Sequence, residues 1–471
     1  MYSKTPVLPK FLHPRQLSFG ALVPFSAVDA QDLCAQFGTT ALTRPTINNG
    51  DSNNFGTGLS NEVLEISGTF TVSSAFKFER CTLRMAPGAL INVTTTAKFE
   101  LRDCQIFCCA KMWQGIKMPN QGWLEFWGNT IEDAFVGLDI TNPTVCRIHN
   151  NHFNSNDISV RIQDFSKVCS FGIAGNIFNE NWQNMNEKSL ITPSFSQSYA
   201  RFVINNCTSQ VPIGISGYPL NVIHGHTCVG IITDGSRVCV QRTQIQWNGL
   251  GSLATSPYTF NAQLKAAIRA ENSTIKCYNS LFSNIQYNSV QIRNTNNHQF
   301  VIANNRFNTS VAFATQQVIS AEKGTSGTCN ITGNTIDLGN STFTRGIWVQ
   351  DVNNSQSLTQ VEGNTITAFQ GNFAGGPFGI EFLSGNYYVR GNHLFTTSNN
   401  LATGIRFTST INSPGQENRI QNNDIGTQFQ QFKSGIDVVS TPNAFVCGNT
   451  ISFGPHGHSA QPTLYEHPGR G

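Results

Sequence analysis

Charge is scarce in this sequence: Asp, Glu, Lys and Arg make up 12% of its 471 residues, about half the usual share of a soluble globular chain. Thirty Lys and Arg against 27 Asp and Glu leave a formal charge of +3, too balanced for the electrostatic footprint of a nucleic-acid or anionic-membrane binder. No apolar run approaches the 18 or more residues of a membrane-spanning helix. The expected partners therefore include neither nucleic acid nor a membrane span. Helical periodicity is also missing between about residues 65 and 453. The deficit is filled by Asn, Gly, Ser, Thr and Phe, with 41 Gly and 34 Phe, a composition that suits a β-solenoid.

A four-residue phrase organises the chain: Gly or Asn, then Asn, any residue, and an apolar one. It reads Gly128-Asn129-Thr130-Ile131, Asn150-Asn151-His152-Phe153 and Gly175-Asn176-Ile177-Phe178, and returns at Asn305, Asn334, Asn364, Asn392, Asn423 and Asn449. From Asn305 onward the intervals are 29, 30, 28, 31 and 26 residues, the length of one solenoid coil. Degenerate copies stand at Arg80-Cys81-Thr82-Leu83, Asp103-Cys104-Gln105-Ile106, Asn205-Asn206, Arg242-Thr243-Gln244-Ile245 and Tyr278-Asn279-Ser280-Leu281. The first residue of the phrase suits the left-handed backbone conformation, which costs Gly nothing and Asn little, so the chain turns there. The Asn side chains should then stack coil on coil at about 4.8 Å as an amide ladder.

A second phrase follows: Gly137-Leu138-Asp139-Ile140, Gly346-Ile347-Trp348-Val349, Gly379-Ile380-Glu381-Phe382, Gly404-Ile405-Arg406-Phe407 and Gly435-Ile436-Asp437-Val438. Apolar residues two apart around a polar one mark a half-buried strand. Each coil should carry at least two strands and a variable loop, giving an all-β, single-stranded parallel β-helix of a dozen or more coils.

These motifs resemble the right-handed parallel β-helix proteins of the pectate-lyase-like superfamily. Met112-Trp113-Gln114-Gly115-Ile116 and Asn129-Thr130-Ile131-Glu132-Asp133-Ala134 are similar to secreted β-helix repeat proteins of Bacteroidetes. The resemblance covers residues 65–453 and implies the right hand of the winding; it specifies the fold and hardly the activity. Around it, residues 1–30 read as a secretory signal with Val28-Asp29-Ala30 at the cleavage point, 31–64 as an N-terminal cap and 454–471 as a flexible tail.

For chemistry, the outward residues of the second phrase align as Lys117, Asp139, Arg161, and later Trp348, Glu381, Arg406, Asp437. Their alternating sign predicts a structural charge ladder, since catalytic carboxylates would bunch instead. His224, His226, Asp234 and Arg237, in the irregular stretch 207–260, are the catalytic candidates if there is an active site. Trp113, Trp123, Trp127, Trp182, Trp247 and Trp348 could each stack on a sugar ring; only Trp348 holds an aligned outward position, and the others read equally as core or cap. Glu132 and Asp133 read as solvated or capping. His456, His458 and His467 could bind metal only adventitiously, so no metal or cofactor is expected, calcium entering only for a polysaccharide lyase. The 13 Cys follow the repeat and read as buried thiols more than as disulfides. Two function classes stay open: a secreted or cell-surface scaffold that binds extracellular polysaccharide or serves as an adhesive or structural protein, and a polysaccharide lyase, glycoside hydrolase or epimerase. Oligomeric state is not legible.

Overall fold

The structure is a computed structural model. It describes residues 32–453 apart from 120, 168–169, 180–199, 225–228, 247–265, 286–287, 294–298, 309–316, 325–327, 339–344, 352–357, 368–377, 397–401, 409–417, 428–431 and 440–443. The signal and tail assignments, His226, Trp182, Trp247, Cys169 and the three tail histidines lie outside the described residues.

The chain winds as a single-stranded parallel β-helix with three faces. One coil shows the plan: Trp123–Trp127 on the third face, a turn at Gly128, Thr130–Glu132 on the first face, a bend at Asp133, and Ala134–Thr141 on the second. The next coil repeats it in parallel register, Ile131 beside Phe153, Leu138 beside Val160 and Leu124 beside Cys146. Among the described residues the first face holds 16 strands and the second 14, and the third is split into sheets of six and nine. The Gly214 N–H donates to Ile173 O across that split, 2.7 Å.

Inward side chains form continuous columns. On the first face the column runs Ile131, Phe153, Phe178, Ile223, Ile245, Phe282, Phe307, Ile336 and Ile366, each in register with the next. Phe153 and Phe178 stack at 4.9 Å, as do Phe282 and Phe307 at 4.7 Å. Each such side chain stabilises by about 1.5–3 kcal/mol, against about 1 kcal/mol net for a hydrogen bond. The apolar columns therefore carry the stability, and the amides fix register.

The amide ladder forms as the repeat requires. Asn129 Nδ2 donates to Asn151 Oδ1 at 3.0 Å, Asn151 to Asn176, and Asn176 on to Asn221. A second run links Asn305, Asn334, Asn364, Asn392, Asn423 and Asn449. The residue before most members has positive φ, for example Gly128 (65°), Asn150 (56°) and Gly363 (63°). Cys104 takes a ladder place, its N–H donating to Asn129 Oδ1. So does Ser280, whose N–H donates to Asn305 Oδ1.

Two copies of the phrase need correcting. Asn205-Asn206 turns a different corner, after the second face, where Cys207 N–H donates to Ser236 Oγ and Ser236 N–H to Ser273 Oγ. The ladder member of that coil is Asn221, which follows Leu220 rather than Gly or Asn and so escapes the motif. At 278–281 the register is shifted by one: Asn279 is the positive-φ residue, Ser280 the ladder residue and Phe282 the inward one.

The N-terminal segment does two jobs. Ile47–Asn48 and Gly58–Ser60 begin the winding, with Phe55 packed 5.9 Å from Phe70 over the open end. Residues 32–40, read as cap, lie along the flank instead. The short helix Leu33–Phe37 is joined to the body by a Cys34–Cys109 disulfide, and its Leu33 N–H donates to Glu132 Oε2 at 2.9 Å. Arg84 donates to Gly38 O and Thr40 O. Glu132 and Asp133 are therefore buried, at 1% and 0% exposure, rather than solvated, and Glu132 caps that helix. Among the described cysteines the other nine are free thiols, eight of them buried.

Candidate functional site

The aligned row on the second face is continuous: Lys117 pairs with Asp139, Asp139 with Arg161, Trp348 with Glu381, Glu381 with Arg406 and Arg406 with Asp437. Arg161 grips Asp139 through Nε at 2.9 Å and Nη2 at 2.6 Å. Arg406 stands 3.8 Å from Asp437. Glu381 departs from the pattern, since its ion-pair partner is Arg345 and it is buried. Trp348 lies on this row but is only 9% exposed, so it offers no open ring face.

Among the described residues, the catalytic candidates stand in two places. His224 ends a first-face strand, half-buried, and burial pulls its pKa below the usual histidine value. Asp234 and Arg237 are exposed at the far end of the second-face strand Val229–Asp234. That strand separates His224 from Asp234 by roughly 16 Å.

A denser constellation lies on the third face. Because a strand presents alternate residues outward, Trp123, Glu125 and Trp127 face out from one strand. Register sets Glu125 between Glu100 and Arg147, and Trp127 between Arg102 and His149. Two carboxylates thus stand on neighbouring strands, a bunching that was not visible in the sequence. Glu100 and Glu125 come from Lys98-Phe99-Glu100-Leu101-Arg102 and Trp123-Leu124-Glu125-Phe126-Trp127, whose alternation would have placed them in one column had this third strand been registered.

Cations hold this acid pair. Lys98 Nζ is 2.8 Å from an oxygen of each glutamate, so the two oxygens are no further apart than twice that distance. Arg102 reaches Glu100 at 2.6 Å and Arg147 reaches Glu125 at 3.1 Å. Burial alone would raise the Glu125 pKa, but the hydrogen bond and charge of Lys98, helped by Arg147, bring it below the usual value. Burial opposes the Lys98 ammonium, yet the two glutamates raise its pKa.

Around it are rings and buried donors. Trp127 stacks on His149 at 4.5 Å and 10°, and His149 meets Tyr218 at 5.0 Å. Trp123 and Tyr218 are exposed. His149 is 3% exposed, with its pKa lowered by burial first and by Arg147 second. A shallow groove of 590 Å³ opens between Arg102, Glu125, Trp127, Arg147 and Asn150. Of its lining, Trp127 Nε1 and Arg102 Nε are buried with no protein hydrogen-bond partner, as is Nδ1 of His149 behind Trp127. Gly172 makes room for the imidazole: a Cβ there would stand 3.0 Å from His149 Nε2 and 2.8 Å from Ile215 Cδ1. Among the described residues no group of three or more His, Cys, Asp or Glu could hold a metal ion.

No protein-family profile matches the chain, and no curated protein does. Among solved structures, a double mutant of the periplasmic alginate epimerase AlgG aligns at 9% identity with a TM-score of 0.34, and a second structure of AlgG at 11% and 0.31. Each alignment covers 84% of this chain and 78% of that one. None of these findings ties the chain to the Bacteroidetes proteins whose motifs it resembles.

Proposed function

We propose that the chain is a secreted or cell-surface β-helix scaffold that binds a glycan in the groove of its third face. The observation that carries this reading is the set of buried, unpartnered polar atoms on Trp127, Arg102 and His149, flanked by the exposed rings of Trp123 and Tyr218. Flat rings stack on the apolar face of a sugar while fixed polar groups meet its oxygens. The spacing of Glu100 and Glu125 brings to mind a retaining glycosidase pair, whose carboxyls lie about 5–5.5 Å apart. Their ion pairing argues otherwise: one member must serve as a proton donor, and both are held by cations, Glu100 by Lys98 and Arg102 and Glu125 by Lys98 and Arg147.

A glycan array on the purified chain, run beside a depolymerisation screen, tests this. A bound glycan should be held about tenfold more weakly by Trp127→Ala and by Trp123→Ala, with no chain cleavage. Depolymerisation that Glu125→Gln abolishes, with the fold intact by circular dichroism, would make the hydrolase, lyase or epimerase reading the better one.

A further inference from the structure

The columns inside the winding are apolar over most of their length, and a lysine and an aspartate break them at one point. Lys323 ends the second-face strand Gln317–Lys323, and Asp351 ends the equivalent strand of the next coil, Arg345–Asp351. The two are direct register partners. Both side chains turn inward and are 1% exposed, with Lys323 Nζ 3.5 Å from Asp351 Oδ2. Thr359 Oγ1 lies 3.3 Å from the same nitrogen. The fully buried Tyr387 closes the other side. Its hydroxyl and Asp351 Oδ2 both abut the space over Gly385, 3.0 and 2.9 Å from where a Cβ would stand.

As an ion pair this arrangement is poor. Charge-assisted N–H···O bonds run about 2.7–2.9 Å, and a pair of buried charges barely offsets its own desolvation even at good geometry. Burial works on the lysine first, lowering its pKa against the pull of Asp351. The amine is thereby pushed toward its nucleophilic form. Burial also keeps the Tyr387 phenol protonated.

We propose that Lys323 and Asp351 condense into an isopeptide bond that staples two consecutive coils. The Nζ lone pair attacks Asp351 Cγ, the C–N bond forms, and the C–O bond to the departing oxygen breaks. Of the three ammonium protons, one stays on the amide nitrogen and two leave with that oxygen as water. No oxidant or co-reactant is needed. Two desolvated charges become one neutral amide, and the water escapes from an apolar interior, so the site that penalises the ion pair favours the product.

Intact mass spectrometry of the folded, purified chain tests this, after reduction to open the Cys34–Cys109 disulfide. The chain should be lighter by one water molecule than its own sequence. A tryptic digest should show no cleavage after Lys323 and one branched peptide joining Lys323 to Asp351. Lys323→Met and Asp351→Ala should each restore full mass and give no branched peptide. A wild-type chain of full mass that is cut normally after Lys323 overturns the proposal. So does a lost water that maps to another pair of residues. Should either variant fail to fold, the wild-type mass and digest decide alone.

Discussion

At the scale of single residues, the amides of the ladder are worth more than their surface chemistry suggests. Asn364 donates to Asn392 Oδ1 through both N–H and Nδ2, donates to Ile331 O, and accepts twice from Asn334. Asn364→Leu strands donors and an acceptor in a buried place, and is expected to cost about 3 kcal/mol in urea denaturation. A cost below about 1 kcal/mol would mean the amides are dispensable. His149 sets a pH dependence. Burial lowers its pKa on folding from the usual histidine value of about 6.5, so below that value the unfolded chain binds a proton that the folded chain refuses. Its contribution to stability is present above about pH 6.5 and is lost as pH falls toward the lower folded value. Stability should drop between pH 7 and 5.5, and less so in His149→Phe; equal slopes for the two chains would remove His149 as the cause.

At the scale of strands, the charge row of the second face separates exposed pairs from covered ones. Asp437 and Arg406 keep over a quarter of their side-chain surface in solvent, so Asp437→Ala should shift stability by less than about 1 kcal/mol. Glu381 keeps 5% and holds Arg345, so Glu381→Ala should cost about 3 kcal/mol by removing a covered carboxylate from a half-buried cation. Thermal melts of both variants test the ranking, and the reverse order would show that cover does not decide it. Most of the first and second faces was legible beforehand because their residues announce themselves: Asn and Gly at turns, and Ile-polar-apolar triplets after them. The third face was not. Its strands, such as Lys98–Arg102 and Trp123–Trp127, precede the turn and carry no glycine signal, so their columns are set only by the coil-to-coil register. The acid pair and its rings depend on that register. Lys323 and Asp351 were equally opaque, because nothing local in a strand end tells an inward lysine from an outward one.

At the scale of the whole molecule, coils contact only their neighbours, so damage should stay local. Removing the Cys34–Cys109 bond with Cys34→Ala should expose residues 32–46 to protease while the β-sheet circular dichroism stays unchanged; loss of that signal would make the flanking segment part of the folding core. Export with cleavage after Ala30 is expected to leave Gln31 first, which mass spectrometry of exported material checks. The amide-to-amide links of the ladder have a direction: Asn334 donates to the Asn364 side-chain oxygen of the coil after it, and Asn364 in turn to that of Asn392. Any coil carrying such an amide could follow any other. Charge is more selective, because excising one coil from Lys117, Asp139 and Arg161 would set two cations side by side. The amides are thus a thread common to most of the beads, and the charged columns are the numbers written on them, which keep a slipped or skipped coil from passing as the right one.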